Sequence, residues 1–160
     1  MPEVIEFAKK FNQLTWEYLE KSDRDSEDDI RMVTYAHASL AHWISAGGPI
    51  EKLRGFWLLS RVYCVIEDAK QATMYARLCN HLTEANQAQA QDFDLAYAAE
   101  ALARSYALSG ETDLANAALF KAEMLGNMIQ NDEDREIFSK DLESGPWFGL
   151  RKNRHKFCHG

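Results

Sequence analysis

The stretch Leu102-Ala103-Arg104-Ser105-Tyr106-Ala107-Leu108-Ser109-Gly110-Glu111-Thr112-Asp113-Leu114-Ala115-Asn116-Ala117-Ala118-Leu119-Phe120-Lys121-Ala122 decides the fold. It holds a single glycine near its centre and no proline, and it is rich in alanine and leucine, the strongest helix formers. Before Gly110, Leu95, Ala99, Leu102 and Tyr106 recur at three- and four-residue steps. That spacing predicts a helix over 92–110, with Asp92 or Asp94 as its cap. After Gly110, Ala115, Ala118, Ala122, Leu125 and Ile129 predict a second helix over 112–129. So short a turn makes the two antiparallel neighbours.

The same periodicity extends upstream. Helices are expected over 2–21 (Val4, Phe7, Phe11, Leu14, Tyr18), 26–46 (Ile30, Val33, His37, Leu40, Ile44), 49–67 (Leu53, Phe56, Ser60, Tyr63) and 69–88 (Ala72, Tyr75, Cys79, Leu82). Met32, Tyr35, Ala36 and Trp43 widen the apolar face of the second, as in a helix buried between neighbours. Ser26 and Asp29 have capping-box spacing, and Gly47-Gly48-Pro49 is a strong break. Downstream, a helix over 132–143 carries Ile137, Phe138 and Leu142, and Ser144-Gly145-Pro146-Trp147-Phe148-Gly149 ends it. Trp147 and Phe148 are expected to tuck against the last helix pair. No useful length alternates apolar and polar residues, so the fold class is all-α, with about seven helices in antiparallel pairs. The domain spans 1–144. Residues 145–160 form a basic C-terminal segment, irregular or docked on the body.

With 160 residues and 46% hydrophobic content, the chain can bury a core without staples. The net charge is −7, which argues against general nucleic-acid binding. The last sixteen residues hold Arg151, Lys152, Arg154 and Lys156 and no acid, leaving 14 basic and 25 acidic residues in the body. Three widely spaced cysteines, Cys64, Cys79 and Cys158, do not make a secreted disulfide framework. No signal-peptide pattern opens the sequence, and no run reaches the length of a membrane span. A cytoplasmic location is expected, with no membrane partner.

An internal repeat is present. Leu102-Ala103, Tyr106, Gly110, Ala115, Leu119 and Ala122 are matched 43 residues earlier by Leu59-Ser60, Tyr63, Glu67, Ala72, Ala76 and Cys79. Small residues on a second helix let the first approach closely, and the aromatic fills the space between them. Residues 50–130 thereby resemble a pair of tetratricopeptide repeats, with a longer period than the usual 34 and Glu67 in place of the turn glycine. The first two helices resemble a divergent preceding pair, and the seventh a cap. The resemblance implies a short right-handed superhelix. The chain also resembles, over 30–143, a group of small uncharacterised bacterial repeat proteins. The runs carrying that likeness are His37-Ala38-Ser39, His42-Trp43, Trp57-Leu58-Leu59-Ser60-Arg61-Val62-Tyr63 and Asp92-Phe93-Asp94-Leu95-Ala96-Tyr97.

The repeat resemblance implies a concave groove lined by Arg54, Trp57, Arg61 and Cys64 on the third helix and by Tyr97, Glu100 and Arg104 on the fifth. Spacing separately puts each set on one helical face. Three guanidinium groups beside a Trp and a Tyr suit a partner carboxylate and an apolar side chain. The alternative is that these arginines pair with Glu100 and other acids of the chain itself. His37 and His42 are five apart, a poor spacing for shared metal ligation, and read as packing residues. Cys79 reads as a small buried hydrophobe.

The expected function is a noncatalytic scaffold binding a protein or peptide with an acidic or C-terminal carboxylate feature, with no cofactor and no metal. One alternative is a self-associating module, docking through Phe7, Phe11 and Trp16. A third reading is an enzyme using His37, His42, Cys64 and Arg61.

Overall fold

The protein, described over residues 2–150 in a computed structural model, folds into seven helices. They are α1 (Pro2–Leu19), α2 (Ser26–Ala46), α3 (Pro49–Val65), α4 (Ala69–Ala85), α5 (Asp92–Leu108), α6 (Thr112–Asn127) and α7 (Asp132–Glu143). The described residues contain no strand. Arg151, Lys152, Arg154, Lys156 and Cys158 lie outside the described residues.

Several helices stop earlier than the apolar spacing predicts. At the end of α1, Arg24 Nη1 donates to the carbonyls of Tyr18, Leu19 and Lys21 at 3.2, 3.3 and 2.9 Å, closing orphan acceptors that a further turn would have used. The cap of α2 is Asp25 rather than Ser26. Asp25 accepts from the Asp28 amide at 2.8 Å, and Asp28 accepts from the Asp25 amide at 3.2 Å, a reciprocal box shifted by one residue. Lys21 adds a 2.7 Å ion pair to Asp28 and holds that carboxyl below its ordinary range.

The 43-residue repeat is present in the backbone. At the end of α3, the Glu67 amide donates to Cys64 O at 3.1 Å and the Asp68 amide to Tyr63 O at 2.9 Å. At the end of α5, Gly110 donates to Ala107 O at 3.2 Å and Glu111 to Tyr106 O at 3.0 Å. These are the two bonds of a Schellman stop. It needs a left-handed residue, and Gly110 has φ 75° while Glu67 has φ 61°. Glu67 therefore adopts the glycine conformation despite its Cβ, at a cost of roughly 1–2 kcal/mol. The preceding residues of α2, α4 and α6, namely Asp25, Asp68 and Glu111, share the spacing.

Packing follows the pairs α1·α2, α3·α4 and α5·α6, with α3 against α5 and α7 against both α5 and α6. Ala72, Ala76 and Cys79 are fully buried at one seam, and Ala115, Leu119 and Ala122 at the next. Ser60 Oγ donates to Ala72 O at 3.0 Å across the first. The stripes of α1 and α2 are rotated from expectation. Phe7, Ile30 and Ile44 are exposed, whereas Ala8, Thr15, Met32, Ala36 and Ser39 are buried. Apart from Met32, small residues win these places because they permit close approach; Ser39 Oγ reaches Ala8 O at 2.8 Å.

The helix-1 aromatics expected to dock on a second copy are largely used within the chain. Phe11 stacks on Tyr35, and Trp16 on Trp57. His37 Nε2 meets Tyr63 Oη at 2.7 Å, and His42 Nδ1 meets Ala38 O at 2.7 Å. Burial lowers the His37 pKa.

Candidate functional site

The residues predicted to line one groove fall into two layers. Trp57, Arg61 and Arg104 converge on Glu100, which is 1% exposed. Trp57 Nε1 donates to Glu100 Oε2 at 2.7 Å. Arg61 Nη1 donates to Oε1 at 3.3 Å, and Arg104 Nε donates to the same oxygen. Arg104 is as buried as Glu100. Its other nitrogens close the end of α7: Nη1 donates to Ser144 O at 2.8 Å and Pro146 O at 3.1 Å, and Nη2 to Asp141 O at 2.6 Å. Arg61 Nη2 adds bonds to Ser144 Oγ at 3.1 Å and Gly145 O at 3.3 Å. Trp147 lies over the Arg104 guanidinium, 4.1 Å from ring centroid to Cζ, and donates to Leu142 O at 2.8 Å.

This arrangement corrects the groove assignment. Glu100 and Arg104 are sealed beneath residues 141–147, and Cys64 is fully buried, so none of the three faces an open surface. Arg61 keeps only 12% of its side chain exposed. The physical reason is that a buried carboxylate and a buried guanidinium each require a partner. Glu100 supplies one, and the carbonyls left open at the end of α7 supply the rest. Burial lowers the Arg104 pKa, and Glu100 opposes that shift.

The second layer is accessible. Arg54, Trp57 and Tyr97 line a cavity of about 320 Å³ bounded by α1, α3, α5 and α7. Trp16 forms part of the wall, stacked on Trp57 at 5.8 Å. Tyr97 meets Trp57 edge-on at 5.1 Å. Arg54 Nε and Nη2 grip Asp94 at 2.9 and 3.0 Å, and its guanidinium lies 5.1 Å from the Phe93 centroid. Tyr97 Oη donates to Asp141 Oδ2. The rim is open at Arg54 and Ile137, with 46% and 49% exposure.

Trp16, Phe93, Asp94, Ile137 and Asp141 were not foreseen at this site. Trp16 comes from the pair that departs most from the repeat. Asp94 reads as a helix cap in sequence, and it does accept from the Gln91 amide at 3.0 Å, but it also holds Arg54. Asp141 carries no motif; only the docking of α7 brings it to Tyr97.

Cys64 and Cys79 are fully buried, and desolvation pushes each thiol up to about 12. Burial, then the Asp141 carboxylate, raises the Tyr97 phenol as well. Unfolded cysteines titrate near ~8.5 and tyrosines near ~10. Above those values the unfolded chain releases protons that the native chain retains, so stability is full below about pH 8.5 and falls as pH rises toward 12. Urea midpoints should decline steadily from pH 8 to pH 11. At pH 8 both thiols should resist an aromatic disulfide reagent in buffer and react fully in urea, as peptide mapping would read.

Among the described residues, no three metal-binding side chains cluster, and no helix is long and apolar enough to cross a membrane. No family model, curated protein or solved structure matches the chain.

Proposed function

We propose that this chain is a noncatalytic helical scaffold that receives a segment of another polypeptide in the cleft between α1 and α7. The observation that supports it is the cavity of about 320 Å³, walled by aromatic side chains and open at the Arg54 and Ile137 rim. Recognition sites of this kind bury an anchor side chain in an apolar pocket and place a few polar groups at the edge. The arginine layer contributes rigidity instead of contact, because Glu100 and the 144–146 carbonyls already occupy it. The buried thiols and the hydrogen-bonded His37 and His42 fit a scaffold better than an enzyme.

A photo-crosslinking residue at Ile137, on the rim, tests this in native cell extract. The expected result is an adduct to a different polypeptide that disappears when Trp16 is also replaced by Ala. Adducts that survive Trp16→Ala, or none at all, would remove the cleft from the reading.

The second reading is self-association, and a different surface favours it. Phe120 and Met124 of α6 and Met128, its C-cap, recur every four residues and are 62%, 47% and 65% exposed. A crosslinker at Phe120 that captures a second copy of this chain would place the contact there.

A further inference from the structure

The cavity between α1, α3, α5 and α7 has a charge pattern that bears on what it takes. Its charged lining is Arg54, Asp94 and Asp141. Arg54 is committed to Asp94 through two hydrogen bonds, so that pair is neutral and offers no free guanidinium fork to a carboxylate. Asp141 is different. Among the described residues no cationic side chain pairs with its carboxylate, whose one partner is the Tyr97 hydroxyl on Oδ2. The side chains that line the cavity therefore carry one negative charge in excess, beside Trp16, Trp57 and Tyr97, while the Glu100–Arg61–Arg104 cluster in the layer beneath is positive by one and already bound to Trp57 and to the carbonyls of 141–146.

Aromatic rings attract cations through their quadrupole, and the attraction grows when water is excluded. An ammonium on an alkyl stem satisfies both parts of this lining: the stem covers apolar wall and the head meets Asp141 beside the aromatic side chains. A carboxylate would meet Asp141 with the same sign and no unpaired guanidinium. A neutral apolar chain would fill the walls and leave Asp141 desolvated with only a phenol.

We propose that this cavity binds an alkylammonium group beside the aromatic wall of Trp16, Trp57 and Tyr97 and against Asp141, its source being a lysine side chain of the partner polypeptide. The source rests on the polypeptide-binding reading above; the site itself does not.

Choline and its uncharged isostere 3,3-dimethylbutan-1-ol separate charge from shape. Tryptophan fluorescence of the full chain should change saturably with choline, and the alcohol should bind roughly tenfold more weakly. Asp141→Asn keeps an acceptor for Tyr97 and should erase that preference. Trp16→Leu keeps apolar contact and should weaken choline, with circular dichroism confirming that both variants fold. Equal affinity for the two probes, or no response to choline, would overturn the ammonium site. A second arm compares a peptide holding one lysine between apolar residues with its norleucine analogue. Selective lysine-peptide binding supports the whole proposal. Choline selectivity without peptide binding keeps the site, overturns its lysine source and counts against the polypeptide reading. Equal binding of both peptides keeps that reading and overturns the lysine source.

Discussion

Glu100→Ala is expected to lower the unfolding free energy by about 3–5 kcal/mol, the usual cost of removing one member of a buried charge cluster. Arg104 would lose its one carboxylate partner among the described residues while remaining 1% exposed, and Trp57 Nε1 would lose its acceptor. Arg61 lies nearer the surface and can turn toward water, so most of the penalty falls on Arg104. At roughly 2–4 °C per kcal/mol for a chain of this size, the melting temperature should drop by about 6–20 °C. The paired substitution Glu100→Leu with Arg104→Met should cost less than Glu100→Ala alone, because it removes both charges instead of stranding one. Thermal and urea denaturation of the two variants decide the matter. If the double variant is the less stable, the α7 carbonyls that Arg104 caps outweigh the stranded charge.

Phe138→Ala is expected to cost a further class of stability, about 3–5 kcal/mol, by emptying the contact that fastens α7. Phe138 is 2% exposed, and Tyr97 meets it edge-on at 4.8 Å. Its ring lies directly on Gly126 of α6, where a side-chain carbon would overlap it. Gly126→Ala should therefore destabilise by roughly 1–3 kcal/mol through overpacking. Phe138→Leu, mild in size, should recover part of that loss in the Gly126→Ala background. Hydrogen exchange should show the damage concentrated in α7 and residues 144–150, with α3 and α4 retaining protection. Uniform loss of protection would mean that α7 unfolds together with the repeat body.

The fold was readable because its signals were local and repeated. Gly47-Gly48-Pro49, the Gly110 turn and the spacing of Ala115, Leu119 and Ala122 each fix a boundary or a face without knowledge of the rest. Apolar periodicity failed where small residues do the packing. It favoured Ile30 and Ile44 over Ala36 and Ser39, because it weighs size of side chain and cannot see closeness of backbones. The site was half legible. Arg54, Trp57 and Tyr97 do line one cavity, as their helical spacing suggested. What spacing could not show was that the chain supplies its own occupant for the remaining positions. That depends on α7 turning back onto α5, a contact with no counterpart in the order of residues.

The way the 144–147 segment is held has a consequence for how its sequence could vary. Arg61 and Arg104 grasp it almost wholly through main-chain oxygens, those of Asp141, Ser144, Gly145 and Pro146. Oxygens of that kind are present whatever amino acid is written there. The latch thus recognises the path of the chain and is nearly blind to its spelling, with the indole at 147 as the letter that must stay.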